Sequence, residues 1–131
     1  MIINTDGGSR GNPGPSAIGI VIRDNTGTVV KEIGKYIGVG TNNEAEYKAL
    51  VLGIETVIEK GEKDLQCYLD SELVVNQLTG KYKVKNMELK KFWDQIKILE
   101  KKLEKIEYTH VRREKNKEAD AIVNQVLDST H

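Results

Sequence analysis

Gly38-Val-Gly-Thr-Asn-Asn-Glu-Ala-Glu-Tyr-Lys-Ala-Leu-Val-Leu-Gly-Ile-Glu-Thr-Val-Ile58 is the stretch on which the fold turns. Up to Gly40 the chain reads in short β-type runs broken by glycine. From Tyr47 the apolar residues Leu50, Val51, Ile54, Val57 and Ile58 recur at helical spacing and form one stripe. Thr41, Asn42 and Asn43 supply cap candidates in front of that helix, and Gly61 sits where it would stop. A change of period from two to 3.6 within one short segment marks a chain that mixes sheet and helix.

Upstream, Met1 to Thr5 is a short strand, followed by a loop dense in breakers that includes Gly7, Gly8, Gly11, Pro13 and Pro15. Ala17 to Arg23 reads as a strand, Asp24 to Gly27 as a turn, and Thr28 to Ile33 as the returning partner of a hairpin. A further strand is expected over Lys35 to Val39, punctuated by Gly34, Gly38 and Gly40. Downstream, Leu65 to Leu69 is a strand and Ser71 to about Leu78 a short helix broken by Gly80. Leu89, Phe92, Trp93, Ile96, Leu99 and Leu103 make a second long helical stripe. Ile106 to Val111 is the last strand, and Ala119, Ile122, Val123 and Val126 mark a final helix with Asn116 as its cap. The order β-β-β-α-β-α-α-β-α predicts an α/β fold with a five-stranded mixed sheet: an antiparallel meander, then strands reached through helical crossovers.

The 131 residues suit one domain, expected over residues 1–131, with a single core. Twenty basic side chains balance twenty acidic ones, which excludes a uniformly basic wrapper of nucleic acid and leaves only local patches for such contacts. The balance is uneven along the chain: residues 1–80 carry 7 basic and 11 acidic side chains, and residues 81–131 carry 13 and 9. The longest apolar-plus-glycine run, Ala17 to Ile22, is far too short to span a membrane. The start has no basic flank and no apolar signal core, so a cytoplasmic protein is expected. One cysteine and two histidines leave neither a disulfide nor a zinc constellation.

Four carboxylates occupy matching places. Asp6 and Asp70 close the first strand and the Leu65–Leu69 strand; Glu46 and Asp120 lie in the first turns of the first and last long helices. Strand ends and the starts of the following helices meet at one edge of an α/β sheet, so all four can converge there. Converging carboxylates repel and stay protonated unless a cation holds them ionised. Oxygen donors without Cys or His select hard ions, Mg²⁺ first, with Mn²⁺ a substitute. A pair of such ions about 3.5–4 Å apart is the apparatus of in-line phosphodiester cleavage. Ordinary surface acids would fit each position equally well, since helix first turns favour Asp and Glu.

The local sequence separates these readings. Thr5-Asp-Gly-Gly-Ser-Arg-Gly-Asn-Pro-Gly14, Thr41-Asn-Asn-Glu-Ala-Glu-Tyr47, Leu69-Asp-Ser71 and Asn116-Lys-Glu-Ala-Asp120 together resemble the type 1 ribonuclease H family, in the family's order and over nearly the whole chain. The resemblance implies the ribonuclease H-like fold and hydrolysis of the RNA strand of RNA–DNA hybrids with two Mg²⁺ ions, leaving 5′-phosphate and 3′-hydroxyl ends. It assigns catalysis and metal binding to Asp6, Glu46, Asp70 and Asp120. It also implies RNA-strand contacts by Asn12, Asn42 and Asn43, whose amides suit a wide, shallow minor groove. Thr41 and Asn86 resemble the family's pocket for a phosphate of the DNA strand.

Three departures stand beside these matches. The chain passes from Gly80 to the next long helix without the basic helix and loop that some members insert, leaving Lys81, Lys83, Lys85, Lys90 and Lys91 as a phosphate contact or a solvated face. The loop Arg112 to Glu118 lacks the histidine many members carry before the last aspartate. Arg112 or Arg113 would act there only electrostatically, since Arg is no base near neutral pH. Glu72 stands where some members have a glutamine that touches RNA. By alternation with Ile106 and Tyr108, His110 is expected to pack against or line a face of the sheet; Trp93 is expected to belong to the core, Cys67 to be buried and inert, and His131 to be a frayed terminus. A monomer is expected. Duplex RNA as an additional substrate, a DNA-cleaving relative, a reverse-transcriptase fragment and a non-catalytic hybrid-binding module are the alternatives.

Overall fold

The computed structural model describes residues 1–129, so His131 lies outside the described residues. Its strands are β1 (Ile2–Ser9), β2 (Gly14–Arg23), β3 (Val29–Gly40), β4 (Asp64–Leu69) and β5 (Lys105–His110). Its α-helices are α1 (Asn42–Glu59), α2 (Glu72–Leu78), α3 (Met87–Glu100) and α4 (Lys117–Ser129), with one 3₁₀ turn at Arg113–Lys115. The five strands form one sheet in the order β3-β2-β1-β4-β5. The β1–β2 and β2–β3 pairs are antiparallel, and β1–β4 and β4–β5 are parallel. The expected element order and mixed sheet are those observed.

Local chemistry explains most boundaries. Thr41 is the N-cap of α1: its hydroxyl accepts from the Glu44 N–H, and the Glu44 carboxylate accepts in return from the Thr41 backbone. Ser71 caps α2 and Asn86 caps α3 through side-chain oxygens. The α1 stripe is buried against Ile3, Ile18, Ile20 and Ile22 of the sheet, with the half-buried Phe92 of α3 stacked 6.4 Å from Tyr47. A second, small cluster of Ala17, Val123 and Leu127, with Val126 packed against it, seats α4. Among the described residues no helix is long and apolar enough to cross a membrane.

Two glycines explain how closely the helices approach. A Cβ on Gly7 would stand 2.2 Å from the backbone carbon of Ala45 in α1. A Cβ on Gly34 would meet Ile122 and Val126 of α4 at 2.8 and 2.9 Å. Gly7 therefore belongs to a strand under a helix, not to a loop, and β1 runs on to Ser9. Likewise Gly34 interrupts nothing: the expected Thr28–Ile33 and Lys35–Val39 strands are one continuous twelve-residue strand. Successive residues of a strand face opposite sides of the sheet. Accordingly Gly7 meets α1, and the next residue, Gly8, meets Val123 of α4. The sheet is clamped between α1 and α4 near the point where β1 and β4 end.

Candidate active site

Asp6 lies late in β1, one residue past the last β1–β4 pair, Thr5 with Leu69; Asp70 directly follows β4. Glu46 reaches the same spot from the first turns of α1, because Gly7 lets the helix come down onto the strand. Asp6, Glu46 and Asp70 each offer an oxygen within 4.8 Å of the others. Asp6 and Glu46 are buried and Asp70 is half-buried. The Gly7 N–H donates to Glu46 Oε1 at 2.9 Å, while Glu46 Oε2 is buried without a partner. A buried carboxylate oxygen aimed at two other carboxylates with nothing to bind is what a cation ligand looks like without its cation.

The electrostatics agree. Burial, then the neighbouring carboxylates Asp70 and Asp120, push the Asp6 carboxyl from an ordinary value near 3.8 up to about 7, against a lowering hydrogen bond from Glu46. Burial and then Asp6 hold Glu46 well above its usual range. Burial also raises Asp70, opposed by a hydrogen bond from Asn116 and by the Arg113 guanidinium. Groups whose affinity for protons rises on folding stabilise the fold below their unfolded values and lose that contribution as pH climbs through the folded ones. The metal-free protein is therefore expected to lose roughly 1–3 kcal/mol of stability between about pH 4 and pH 7 through these groups. Thermal melts in chelator at pH 5 and pH 8, repeated with Mg²⁺, check this: added cation should recover more at the higher pH. No difference between the two pH values would contradict it.

Asp120 does not join the tight triad. It lines the same cleft from the first turn of α4, half-buried, with Arg113 Nη2 3.6 Å from its Oδ1 and Asn124 Nδ2 3.4 Å from its Oδ2. The cleft measures about 470 Å³ and opens to solvent between the β1–β2 loop, the start of α1 and the loop before α4.

The proposed substrate contacts are distributed less evenly. Asn42 and Asn43 are exposed and line the cleft. Asn42 Oδ1 accepts from the Ser9 N–H at 2.9 Å, and Asn12 Oδ1 accepts from the Asn42 N–H at 3.0 Å. These bonds tie the β1–β2 loop to the start of α1 and leave both side-chain NH₂ groups for other acceptors. Thr41 and Asn86 lie outside the cleft lining, and both spend an oxygen on helix capping. Arg113 lies in the cleft wall, mostly exposed.

Several expectations change in the folded chain. His110 does not pack away; it is exposed at the end of β5, in register with Leu69, and lines the cleft mouth. Asn116 stands directly before α4 and its carbonyl accepts from the Asp120 N–H, but its side chain is buried and bonds to β1 instead of capping the helix. Trp93 and Cys67 follow expectation. The indole is half-buried and donates to the Gln77 carbonyl at 3.1 Å, with Lys90 over its ring. Cys67 is fully buried, and that burial drives its thiol pKa up.

A family model described as reverse transcriptase-like matches residues 4–126. The crystal structure of RNase H1 from the halophilic archaeon Halobacterium salinarum NRC-1 superposes with a TM-score of 0.95 at 39% identity, over 98% of both chains. The chain belongs to the ribonuclease HI family. A second solved member, LC11-RNase H1 in complex with an RNA/DNA hybrid, shares 42% identity at a TM-score of 0.93, over 98% of this chain and 96% of that one. The bifunctional protein Rv2228c of Mycobacterium tuberculosis is 38% identical over 130 residues, which is 98% of this chain. This ribonuclease HI chain spans about a third of the length of that relative, 36%.

Proposed function

We propose that this chain is a metal-dependent endoribonuclease that hydrolyses the RNA strand of RNA–DNA hybrids. The observation that carries the reading is the convergence of Asp6, Glu46 and Asp70 with a buried, unpartnered Glu46 oxygen at the floor of an open polar cleft. An all-oxygen donor set of this kind fits a hard divalent cation, Mg²⁺ or its substitute Mn²⁺. Asp6, Glu46 and Asp70 would hold it, with Asp120 at the rim completing a site for two ions. Bound there, the metal supplies an acidified water and positive charge for the leaving oxygen, giving 5′-phosphate and 3′-hydroxyl ends. The relative solved with an RNA/DNA hybrid supports the substrate class.

The protein's own groups position the nucleic acid. Asn42 and Asn43 present amides along one lip of the cleft, with Asn12 bonded just behind Asn42, where 2′-hydroxyls of the RNA strand can both donate and accept. Thr41 and Asn86 stand farther out, as contacts to the DNA strand. Arg113 reaches the opposite lip and meets the scissile phosphate, its positive charge attracting the phosphate oxygens. Duplex RNA is a second substrate consistent with the same contacts. The reading carries with it a cytoplasmic monomer with one ribonuclease H unit over residues 1–131.

Labelled hybrid, duplex RNA and single-stranded RNA, each incubated with Mg²⁺ and then with chelator, test the proposal on one gel. Hybrid should be cut only with the metal. Binding of hybrid without any metal-dependent cutting would replace the enzyme by a non-catalytic binding module. Arg113→Ala should lower kcat/KM for hybrid about tenfold, roughly 1.4 kcal/mol of barrier, and Arg113→Lys should recover part of it. Unchanged steady-state kinetics would remove Arg113 from the reaction.

A further inference from the structure

The β1 and β4 strands part company where the site begins. The last parallel pair is Thr5 with Leu69, and the Thr5 carbonyl at that end of the ladder is inside the protein. A carbonyl buried there needs a donor. Asn116, only 1% exposed, fills the gap: its Nδ2 donates to the Thr5 oxygen at 2.9 Å. Its Oδ1 accepts from Asn4 Nδ2 at 3.1 Å. Asn4 Oδ1 is held in turn by Arg23 Nη1 at 3.3 Å, and the other end of that guanidinium pairs with Glu118 of α4.

A helix cap would have looked different. It would turn its oxygen toward the first N–H groups of α4, whereas this oxygen faces a strand residue. The site also needs a donor and an acceptor on separate atoms pointing different ways, which a carboxamide provides and a hydroxyl of similar size does not. The Asn116 backbone carbonyl meanwhile accepts from the Asp120 N–H at 3.1 Å, inside the first turn of α4. One residue thus grips the strand that carries Asp6 with its side chain and the turn that carries Asp120 with its backbone.

We propose that Asn116 is a positioning residue that fixes the spacing between the Asp6 and Asp120 carboxylates, and that Asn4, oriented by Arg23, sets which way its amide points. The inference rests on the proposed metal-dependent reading of the site. It predicts that losing the side chain loosens cation binding more than it loosens hybrid binding.

The test uses the full chain with Asn116→Ala, Asn116→Asp, Asn4→Ala and the Asn4→Ala/Asn116→Ala double variant. Mn²⁺ binding is measured by calorimetry and by the rise in Tm, and hybrid cleavage is measured across Mg²⁺ concentration. Asn116→Ala should weaken Mn²⁺ binding and raise the half-saturating Mg²⁺ concentration about tenfold, the usual effect of losing a group that orients ligands. KM for hybrid at saturating metal should stay within about twofold, since such a group acts on the ligands and not on the nucleic acid. Asn116→Asp keeps the shape but loses the donor, so it should be no better than Asn116→Ala. The double variant should be no worse than Asn116→Ala alone. Parent-like Mn²⁺ binding in a folded but less stable Asn116→Ala would reduce the residue to a structural one and overturn the proposal. Should Asn116→Ala not fold, Asn4→Ala decides: it must weaken Mn²⁺ binding in the same sense, and parent-like binding overturns the proposal. If the parent itself neither binds divalent cations nor cuts hybrid, the functional reading fails first.

Discussion

Asp70→Asn is expected to abolish hybrid hydrolysis, by at least a thousandfold or about 4 kcal/mol of barrier, while the folded protein becomes more stable in chelator. Both effects come from the same geometry. Asp70 directly follows β4, half-buried, with an oxygen within 4.8 Å of Asp6 and Glu46 oxygens. Burial already penalises its charge, and the neighbouring carboxylates are raised partly because Asp70 is there. An amide keeps the shape and removes the repulsion, so metal-free melts at pH 8 should shift upward. The same amide is a poor ligand for a hard cation, so the Tm gain from Mg²⁺ should shrink as activity vanishes. Opposite movement of stability and rate separates a functional carboxylate from a structural one. Cleavage at near the parent rate would sink the assignment of this site.

Gly7→Ala should be doubly damaging, to the fold and to the site. The added carbon would press on backbone atoms of Ala45 and on the Glu46 N–H, none of which can rotate away. Helix α1 must back off, and with it Glu46, whose Oε1 is held by the Gly7 N–H. Overpacking of this kind costs roughly 2–3 kcal/mol. The rate should suffer further, because a shift of about 1 Å in a reacting group costs on the order of a hundredfold. Denaturant unfolding and kcat measured on the same preparation distinguish the two losses. A variant with parent stability and parent kcat would show that α1 has room the structure denies it.

The first helix, the long α3 stripe and the element order were readable from the sequence because each depends on neighbours a few residues away. The Thr41 capping box is such a case: both partners fall within one turn. The glycines misled for the opposite reason. Gly34 reads as a break until α4, some ninety residues later, is laid across it. Asn116 reads as a cap because its real partners, Asn4 and the Thr5 carbonyl, stand at the other end of the chain. Alternation places His110 on a sheet face but carries no word on what covers that face; at the end of edge strand β5 it is exposed and lines the cleft mouth. The carboxylates are legible as strand ends and helix starts, and so is their gathering at one sheet edge. The distances are not, since spacing along the chain carries no distance across the sheet: three carboxylates form a tight group, and Asp120 lies beside Asp6 in the same cleft.

The separate seat of α4 has a practical corollary for heat. The strands and α1 share a large apolar cluster, while α4, with Asp120, seats its own Val123, Val126 and Leu127 on Ala17 and packs close over Gly19 and Gly34. Regions with few buried apolar contacts open first, well below the free energy of global unfolding. Warming should therefore lift α4 from the sheet before the rest melts. The upper working temperature of the site is then set by the hold of this one helix, and it falls below the temperature at which the sheet itself comes apart.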